Sequence, residues 1–394
     1  MDPVRNPYAP GAGQRPPELA GRDKQLDAFD VVLERVAAGR PERSVMLTGL
    51  RGVGKTVLLN QLRSSARSRG WGTGKLEARP DQGLRRPLAS ALHMAVRSIA
   101  AEHRNPEMVD DFLGILKAFA LRATADKGMR DRWQPGIDVP AVTGRADSGD
   151  IEIDLVELLT EAGQLVAGTG VGLGLFIDEL QDLGADDISA ICGACHELSQ
   201  ESAPVIVVGA GLPHLPAVLS ASKSYSERLF GYHRIDRLPR ESADRALIAP
   251  AEREQVKFTD EALAALYRKA DGYPYFVQAY GKATWDAAAD SPITAEDVEL
   301  AAPAAEEELA VGFFGSRYER ATPAERDYMR AMADLAGDEG PVSTAAVAAE
   351  LGRKPASVSP ARDGLIKKGL IYSAERGTIG FTVPHFGRYL RGVQ

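Results

Sequence analysis

The sequence has little cysteine, few aromatic residues and no long apolar run. Its two cysteines, Cys192 and Cys195, form a single C-x-x-C inside an apparent helix. A zinc site needs more ligands, and a redox pair normally opens a helix, so we interpret both as buried small residues. Aromatic residues make up 6% of the chain, which gives no sign of stacking platforms for single-stranded nucleic acid. Without an 18-residue apolar run or an apolar N-terminal signal core, we expect a cytoplasmic protein with no membrane partner.

The remaining composition is that of a globular protein with an uneven charge. At 394 residues, with 44% apolar and 26% charged residues, the chain is too long for one core, and we expect two or three domains. The net charge of −8 argues against indiscriminate binding of nucleic acid by the whole surface. Residues 316–394 nevertheless carry 12 Lys and Arg against 9 Asp and Glu, a charge of +3 that leaves −11 for the rest. This asymmetry favours the C-terminal part as the place where a polyanion would dock.

The strongest motif is the phosphate-binding pattern G-x-x-x-x-G-K-[ST] at residues 49–56. An apolar, β-leaning run precedes it and a helix pattern follows it, as this loop requires. Glycines let backbone N–H groups surround phosphate oxygens, and the helix N-terminus adds positive charge. Lys55 would reach the β- and γ-phosphates, and the Thr56 hydroxyl would bind Mg²⁺. The predicted nucleotide-binding residues of the loop are Gly49, Gly52, Val53, Gly54, Lys55, Thr56 and Val57.

A second motif completes the predicted site. Residues 171–177 form an almost continuous apolar run, typical of a strand buried on both faces of a parallel sheet, and Asp178 and Glu179 follow it. In open α/β sheets, ligands bind at the edge formed by the carboxyl ends of the strands, which is where these two residues would lie. Asp178 would hold Mg²⁺ together with Thr56, and Glu179 would be the general base that activates water. A strand that merely ends in acidic residues is the alternative, but the phosphate loop upstream favours the catalytic interpretation.

Weaker patterns lie on either side of these motifs. Residues 21–26 form a Gly-Arg-acid-x-x-Leu segment that includes Arg22 and leads into the first helix. On composition alone an ordinary helix start is the better explanation, and the phosphate loop downstream favours a functional one. Gly272-Tyr273-Pro274 precedes an apolar helix, where glycine can end one helix and proline open the next. Arg228 stands just before a strand-like segment, and a surface ion pair would account for it. These residues acquire a role only in combination with the phosphate loop.

The C-terminal residues predict three helices followed by a two-stranded hairpin, the pattern of a winged helix-turn-helix domain. The third helix, over residues 355–368, contains Pro360, which must either bend it or mark its true start. Its N-terminal half would enter the major groove of duplex DNA, and the hairpin tip would reach the backbone. The predicted DNA-binding residues are Lys354, Ser357, Ser359, Arg362 and Arg376. Since this fold also serves protein contacts, a protein partner remains the alternative.

Taken together, these motifs resemble bacterial AAA/STAND-type P-loop ATPases related to origin-recognition initiators. The resemblance implies an α/β parallel sheet core with a helical lid and a C-terminal winged helix, with ATP and Mg²⁺ as cofactors. It implies that Arg22 and Pro274 contact the base, and that Arg228 is an arginine finger acting with Lys55 and Glu179 in catalysis. Such a finger works on a neighbouring subunit and would require a homo-oligomer. The strand at residues 204–209 ends without the family's polar sensor, which implies slow hydrolysis.

We therefore expect four segments: an extended N-terminal segment (1–18), an ATPase core (19–240), a helical lid (241–311) and a winged helix-turn-helix domain (316–394). Residues 124–150 lose periodicity and predict a surface insertion. Two functions fit this organisation. One is a slowly hydrolysing, ATP- and ADP-dependent switch that binds duplex DNA. The other is a nucleotide-gated signalling or adaptor protein whose winged helix binds another protein.

Overall fold

The central element is a five-stranded parallel sheet. The computed structural model describes residues 1–11, 13–80, 82–100, 105–122, 136–336 and 340–392. The strands lie in the order β2-β3-β4-β1-β5, and all neighbours are parallel. Because β1, β3 and β4 are buried at every residue, their sequences are almost uniformly apolar. The strands are β1 (Ser44–Thr48), β2 (Gly72–Glu77), β3 (Leu173–Asp178), β4 (Val205–Gly211) and β5 (Phe230–Arg234).

Helices cover both faces of the sheet. Successive residues of a strand point to opposite faces, so Val45 and Leu47 join one apolar cluster while Met46 joins the other. Asn105 and Asp150 cap the helices that follow them by accepting backbone N–H groups. The helices are α1 (Asp23–Ala37), α2 (Lys55–Ser68), α3 (Arg85–Ala100), α4 (Pro106–Leu121), α5 (Ile151–Val166), α6 (Ala185–Gln200), α7 (Leu215–Ser222) and α8 (Ser226–Leu229). The two cysteines are buried within α6, as predicted.

Four further helices form a lid beside the carboxyl edge of the sheet. They are α9 (Arg240–Arg253), α10 (Asp260–Ala270), α11 (Pro274–Ala287) and α12 (Ala295–Glu308). Thr259 and Thr294 cap α10 and α12, and Thr294 does so in a reciprocal box with Asp297. Pro274 opens α11, where a missing N–H costs nothing.

The N-terminal segment was expected to be extended, and the structure shows a single 3₁₀ turn, Pro3–Arg5, in an otherwise irregular stretch. It is nevertheless fixed to the lid. The Tyr8 hydroxyl is buried and donates to the Leu247 carbonyl at 2.6 Å. The Trp285 indole donates to the Asp2 carbonyl at 3.0 Å, and its ring meets that of Tyr8 edge-on. These contacts fix the segment to α9 and α11.

The predicted surface insertion falls partly outside the described residues. Residues 136–150 contain no helix or strand, but they are packed rather than loose: Ile137 and Ala146 are buried. The carboxylate of Asp154 is fully buried and accepts hydrogen bonds from Ser148, Gly149 and Arg85. A buried carboxylate that is satisfied in this way fixes the end of the insertion to the core.

The C-terminal part continues from the lid without a break in helical structure. A π-helical stretch, Leu309–Gly315, follows α12 and runs into the short α13 (Ser316–Tyr318). Beyond it lie α14 (Pro323–Ala336), α15 (Thr344–Glu350), α16 (Pro355–Lys367) and α17 (Phe386–Gly392). The strands β6 (Val342–Ser343), β7 (Ile371–Glu375) and β8 (Thr378–Phe381) form an antiparallel sheet in the order β6-β8-β7.

This arrangement is compatible with a winged helix. Pro360 lies inside α16, so the suggestion that it marks the helix start was wrong. No helix had been predicted over the last residues, where α17 packs against α14. Within the residues described above, no helix is long and apolar enough to cross a membrane.

Candidate nucleotide site

The loop between β1 and α2 has the backbone that phosphate binding demands. Gly52 and Gly54 have φ angles of 85° and 90°, which L side chains rarely adopt. At Gly49 a side chain would place its Cβ 2.1 Å from the Ile235 carbonyl oxygen. Gly54 is the N-cap of α2, so the positive end of that helix points into the loop. The glycines of the motif therefore have a steric or conformational reason in this structure.

Lys55 lies at the base of the loop as a buried cation. It is 7% exposed, and its Nζ donates to the Leu50 carbonyl at 2.8 Å. Burial lowers the pKa of Lys55 to about 8, against the opposing pull of the Glu179 and Asp178 carboxylates. A buried ammonium is costly in isolation, and an anion entering the loop would relieve that cost.

The two predicted carboxylates follow β3. Asp178 is buried, and its Oδ1 accepts the Glu179 N–H at 3.1 Å. Glu179 adopts the left-handed conformation, with φ of 50°, an uncommon state for a non-glycine residue that occurs at functional sites. Its carboxylate accepts from Gln181 Nε2 at 2.8 Å and lies 3.9 Å from Arg51 Nη2. Glu179 is thus held between an amide and a guanidinium.

Gln181 is a polar residue of the site that the sequence did not indicate. Its Oε1 accepts the Leu212 N–H at 3.0 Å, just beyond the end of β4, while its Nε2 donates to Glu179. A Cβ at Gly211 would approach this Oε1 to 2.6 Å, so the glycine makes room for the amide. The end of β4, which lacks a polar residue of its own, is therefore bridged by an amide from the turn that follows the neighbouring strand β3.

These groups face a cavity of about 390 Å³, within the usual range for small-molecule sites. One wall is the phosphate loop, another is the lid with Tyr275 and Gln278, and a third is the N-terminal segment with Ala9 and Pro10. Gly49 and Asp178 do not line the cavity. The predicted site residues that line the cavity are Arg22, Gly52, Val53, Gly54, Lys55, Thr56, Val57, Glu179 and Pro274.

Arg22 lines the cavity, but its guanidinium is directed at the backbone. The Nη2 atom donates to the carbonyls of Val53 and Asp236, at 3.0 and 2.8 Å. It therefore links the phosphate loop to the segment after β5 and supports the loop's shape. Its predicted contact with a base stays a prediction.

Arg228 lies away from this cavity. It belongs to α8, immediately before β5, and is exposed. Because Ser44, the first residue of β1, pairs with Phe230, Arg228 lies near the amino edge of the sheet, whereas the phosphate loop is at the carboxyl edge. It cannot serve the cavity of its own chain without a large movement. A role in a neighbouring subunit stays a prediction.

The five predicted DNA-binding residues are all accessible in part. Lys354, Ser357 and Arg376 are exposed, and Ser359 and Arg362 are half-buried. The two serine hydroxyls donate to the carbonyls of Lys354 and Pro355 within the first turns of α16. Arg362 pairs with Asp363 on the surface, a contact of small energy that a phosphate could replace.

The C-terminal part also contacts the carboxyl edge of the sheet, at and beside the phosphate loop. The Arg51 N–H donates to the Thr382 carbonyl at 2.8 Å, and Tyr372 of β7 stacks on His214, with ring centroids 6.0 Å apart. These contacts join elements more than 150 residues apart, which local patterns could not reveal. The phosphate loop and the C-terminal part are in contact in this conformation.

The fold and the site define a P-loop NTPase, as the sequence predicted. Residues 18–208 match the model of the AAA ATPase domain, which supports an AAA-type ATPase domain in this part of the chain and implies nucleotide binding. Residues 311–390 match a domain of unknown function (DUF8462). No curated protein matches the chain.

The chain is similar over most of its length to solved structures. One is the Walker-type ATPase PABY2304 of Pyrococcus abyssi, with a TM-score of 0.59 and 15% identity, covering 96% of this chain and 97% of that one. At this identity the likeness shows the fold alone. The RuvB Holliday junction branch migration motor of Thermotoga maritima gives 0.46 at 17% identity, covering 94% and 96%. Aeropyrum pernix Orc1, solved in complex with DNA, gives 0.45 at 15%, covering 99% and 96%. No conclusion rests on the last two.

Proposed function

We propose that the chain is a slowly hydrolysing ATPase that acts as a nucleotide-dependent switch and binds duplex DNA through its C-terminal part. The observation that carries the ATP site is the convergence of Lys55, Thr56 and Glu179 on one cavity closed by the lid. Backbone N–H groups of the loop and Lys55 bind the phosphates, and Glu179 takes the proton of the attacking water. Pro274 and the lid enclose the base.

The donor set for Mg²⁺ fits a cation that arrives with the nucleotide. Among the described residues, no group of three His, Cys, Asp or Glu side chains could hold a metal alone. Mg²⁺ at such sites keeps several waters and takes one or two protein oxygens plus phosphate oxygens. The Thr56 hydroxyl in the cavity wall and the Asp178 carboxylate behind it would hold the ion, which neutralises charge on the phosphates.

We expect slow turnover because β4 ends in Gly209-Ala210-Gly211, without a polar side chain of its own. Glu179 accepts a hydrogen bond from Gln181 and lies 3.9 Å from Arg51, so its carboxylate is held in one position. The contact of Arg51 with the C-terminal part adds a constraint that must change before catalysis. Nucleotide exchange and hydrolysis would accordingly be coupled to movement of that part.

ATP affinity should fall as the pH rises through about 8. Below its pKa Lys55 is charged and attracts phosphate, and above it the neutral amine loses that attraction, while the ATP phosphates are ionised throughout. With a pKa of about 8, the charged fraction falls about tenfold between pH 7 and 9, and the affinity should follow. Calorimetric titration at pH 7, 8 and 9 measures this. An affinity that is constant or rises over that range would contradict the role of Lys55.

DNA binding is the part of the proposal that rests on the surface of α16 and the hairpin. Lys354 and Arg376 are exposed cations, and none of the five predicted contact residues is buried. Five or fewer phosphate contacts predict a slope of roughly −3 to −4.5 in log K against log salt. Full-length protein with ATP or ADP, titrated with duplex DNA at several salt concentrations, tests this.

Substitution of Arg376 should weaken DNA binding about equally for all sequences. Arg376→Ala removes a cation from the hairpin tip and should flatten the salt slope by about one unit. Arg362→Ala should instead relax sequence preference by about 1–3 kcal/mol, since Arg362 lies on the helix that would face the bases. Fluorescence titration measures both, with Arg268→Ala, an exposed arginine of the lid, as the control. An unchanged slope for Arg376→Ala would remove the hairpin from the interface.

The adaptor function is favoured by one observation. The C-terminal part contacts the phosphate loop through Arg51 and Thr382, so nucleotide binding could release it toward a protein rather than toward DNA. Both functions share the same switch. If no duplex binding is detected at low salt with either nucleotide, the adaptor function replaces the DNA-binding one.

A further inference from the structure

The side chain of Gln181 lies between the predicted general base and the end of β4. Its Nε2 donates to Glu179 Oε2 at 2.8 Å and to Asp182 Oδ1 at 3.2 Å. Its Oε1 accepts the Leu212 N–H at 3.0 Å. Ionised carboxylates only accept and a backbone N–H only donates, so these partners determine which end of the amide is the nitrogen. The amide is therefore held at both ends, and one end is on Glu179.

The peptide group that holds this amide also holds the phosphate loop. The carbonyl of Gly211 accepts the N–H of Gly49, the first residue of the loop, at 3.2 Å. The N–H of the same peptide group belongs to Leu212 and donates to Gln181. Because a peptide group is planar and rigid, its two hydrogen bonds have a fixed relative direction. Three hydrogen bonds thus lead from the phosphate loop through this peptide group and Gln181 to Glu179.

The two carboxylate oxygens of Glu179 have different surroundings. Oε2 accepts from Gln181, whereas Oε1 lies 3.9 Å from Arg51 Nη2, which is beyond hydrogen-bond distance. A glutamate side chain is long and flexible, and it must lose that freedom to act from one position. Gln181 therefore holds Oε2, and Oε1 is the oxygen available to take the proton of a water molecule.

We propose that Gln181 is the positioning residue of the general base, and that it orients the Glu179 carboxylate relative to the phosphate loop. The proposal rests on the proposed function, because it assumes that ATP is hydrolysed with Glu179 as the base. Water adds to the γ-phosphorus, its proton passes to Glu179, and ADP leaves as the bond to the γ-phosphate breaks. Gln181 exchanges no proton in this step. A base that is itself oriented by a third group is a recurring arrangement in catalytic sites.

The test is a double-mutant cycle in the full chain, measured as phosphate release under single-turnover conditions with ATP and Mg²⁺. In Gln181→Ala we expect the rate to fall about 10- to 100-fold, the scale of a misplaced catalytic group. Affinity for the β,γ-imido analogue of ATP should change less than about threefold, because Gln181 does not line the cavity. In the Glu179→Gln background, Gln181→Ala should change the residual rate by less than about threefold, since Gln181 acts through Glu179.

A second variant separates the hydrogen bond to the base from packing. Gln181→Glu introduces a carboxylate of nearly the same size that can accept the Leu212 N–H but cannot donate to Glu179, so the rate should fall at least about 10-fold. The control is Gln200→Ala, which removes an exposed amide beside His196 at the end of α6 and should hydrolyse ATP at the unaltered rate.

Several outcomes would overturn the role of Gln181. An unaltered rate in Gln181→Ala or Gln181→Glu would show that the amide is not needed. If Gln181→Ala lowered the rate by the same factor with and without Glu179→Gln, Gln181 would act independently of the base. If rate and analogue affinity fell together, with a lower melting temperature in circular dichroism, its role would be in folding. If the unaltered chain bound ATP but released no phosphate, the proposed function would fail too, and the two failures are therefore distinguishable.

Discussion

Replacing Glu179 by glutamine should abolish most ATP turnover while ATP binding is retained. The amide is nearly the same size as the carboxylate and keeps the position next to Gln181, but it cannot accept the proton of the attacking water. General bases contribute about 10²–10⁴ in rate, and we expect a loss of at least about 100-fold. Phosphate release under single-turnover conditions measures the rate, and calorimetry measures the affinity.

Glu77 provides the matched control for this experiment. It ends β2 and pairs in register with Asp178 of β3, so it is a carboxylate at the same sheet edge, but it is exposed and outside the cavity wall. Glu77→Gln should hydrolyse ATP at the unaltered rate. If Glu179→Gln did the same, the base would have to be another group.

The central part of this site could be predicted from sequence because its residues are adjacent along the chain. The phosphate loop fits one contiguous pattern, and Asp178 and Glu179 directly follow an apolar run. Parallel strands end at the same edge, so the two segments had to meet once both were recognised as buried strands. The strands β1 and β3 pair on either side of β4, which confirms that expectation.

The remaining residues of the site come from contacts between distant parts of the chain. Arg317 lines the cavity, but it belongs to no local motif that would have indicated this. Phe313, which also lines the cavity, packs near Gly52, more than 250 residues earlier in the chain. The N-terminal segment was expected to be merely extended, since nothing in its proline and glycine content shows that Tyr8 is buried against the lid.

The C-terminal helices and hairpin were predictable for the same reason as the phosphate loop, namely that caps, turns and alternating strands are local signals. Their contact with the carboxyl edge of the parallel sheet could not be predicted in this way. The Arg51–Thr382 hydrogen bond and the Tyr372–His214 stack each join residues that are more than 150 positions apart in the chain. The contacts between the C-terminal part and the sheet edge are therefore tertiary, whereas the proposed nucleotide chemistry rests on contiguous motifs.

Replacing Lys55 by alanine should produce the largest loss of nucleotide affinity. The ammonium would bind two phosphates, and charge-assisted hydrogen bonds contribute about 1.5–3 kcal/mol each, so ATP and ADP should bind at least about 100-fold more weakly. The chain should still fold, because the buried ammonium is desolvated and donates to the Leu50 carbonyl within the same loop, so no contact with a distant part of the chain rests on this hydrogen bond.

The loss should be visible in thermal unfolding as well as in calorimetry. At a ligand concentration of 100 times Kd, binding stabilises the native state by about 2.7 kcal/mol, and a 100-fold weaker site leaves only about 0.4 kcal/mol. The unfolding temperature of Lys55→Ala should therefore hardly respond to ATP, whereas Arg67→Ala, an exposed substitution on the same helix, should respond fully. An unaltered ATP response in Lys55→Ala would show that the nucleotide binds elsewhere, because a triphosphate in this loop cannot avoid the space that Lys55 Nζ faces.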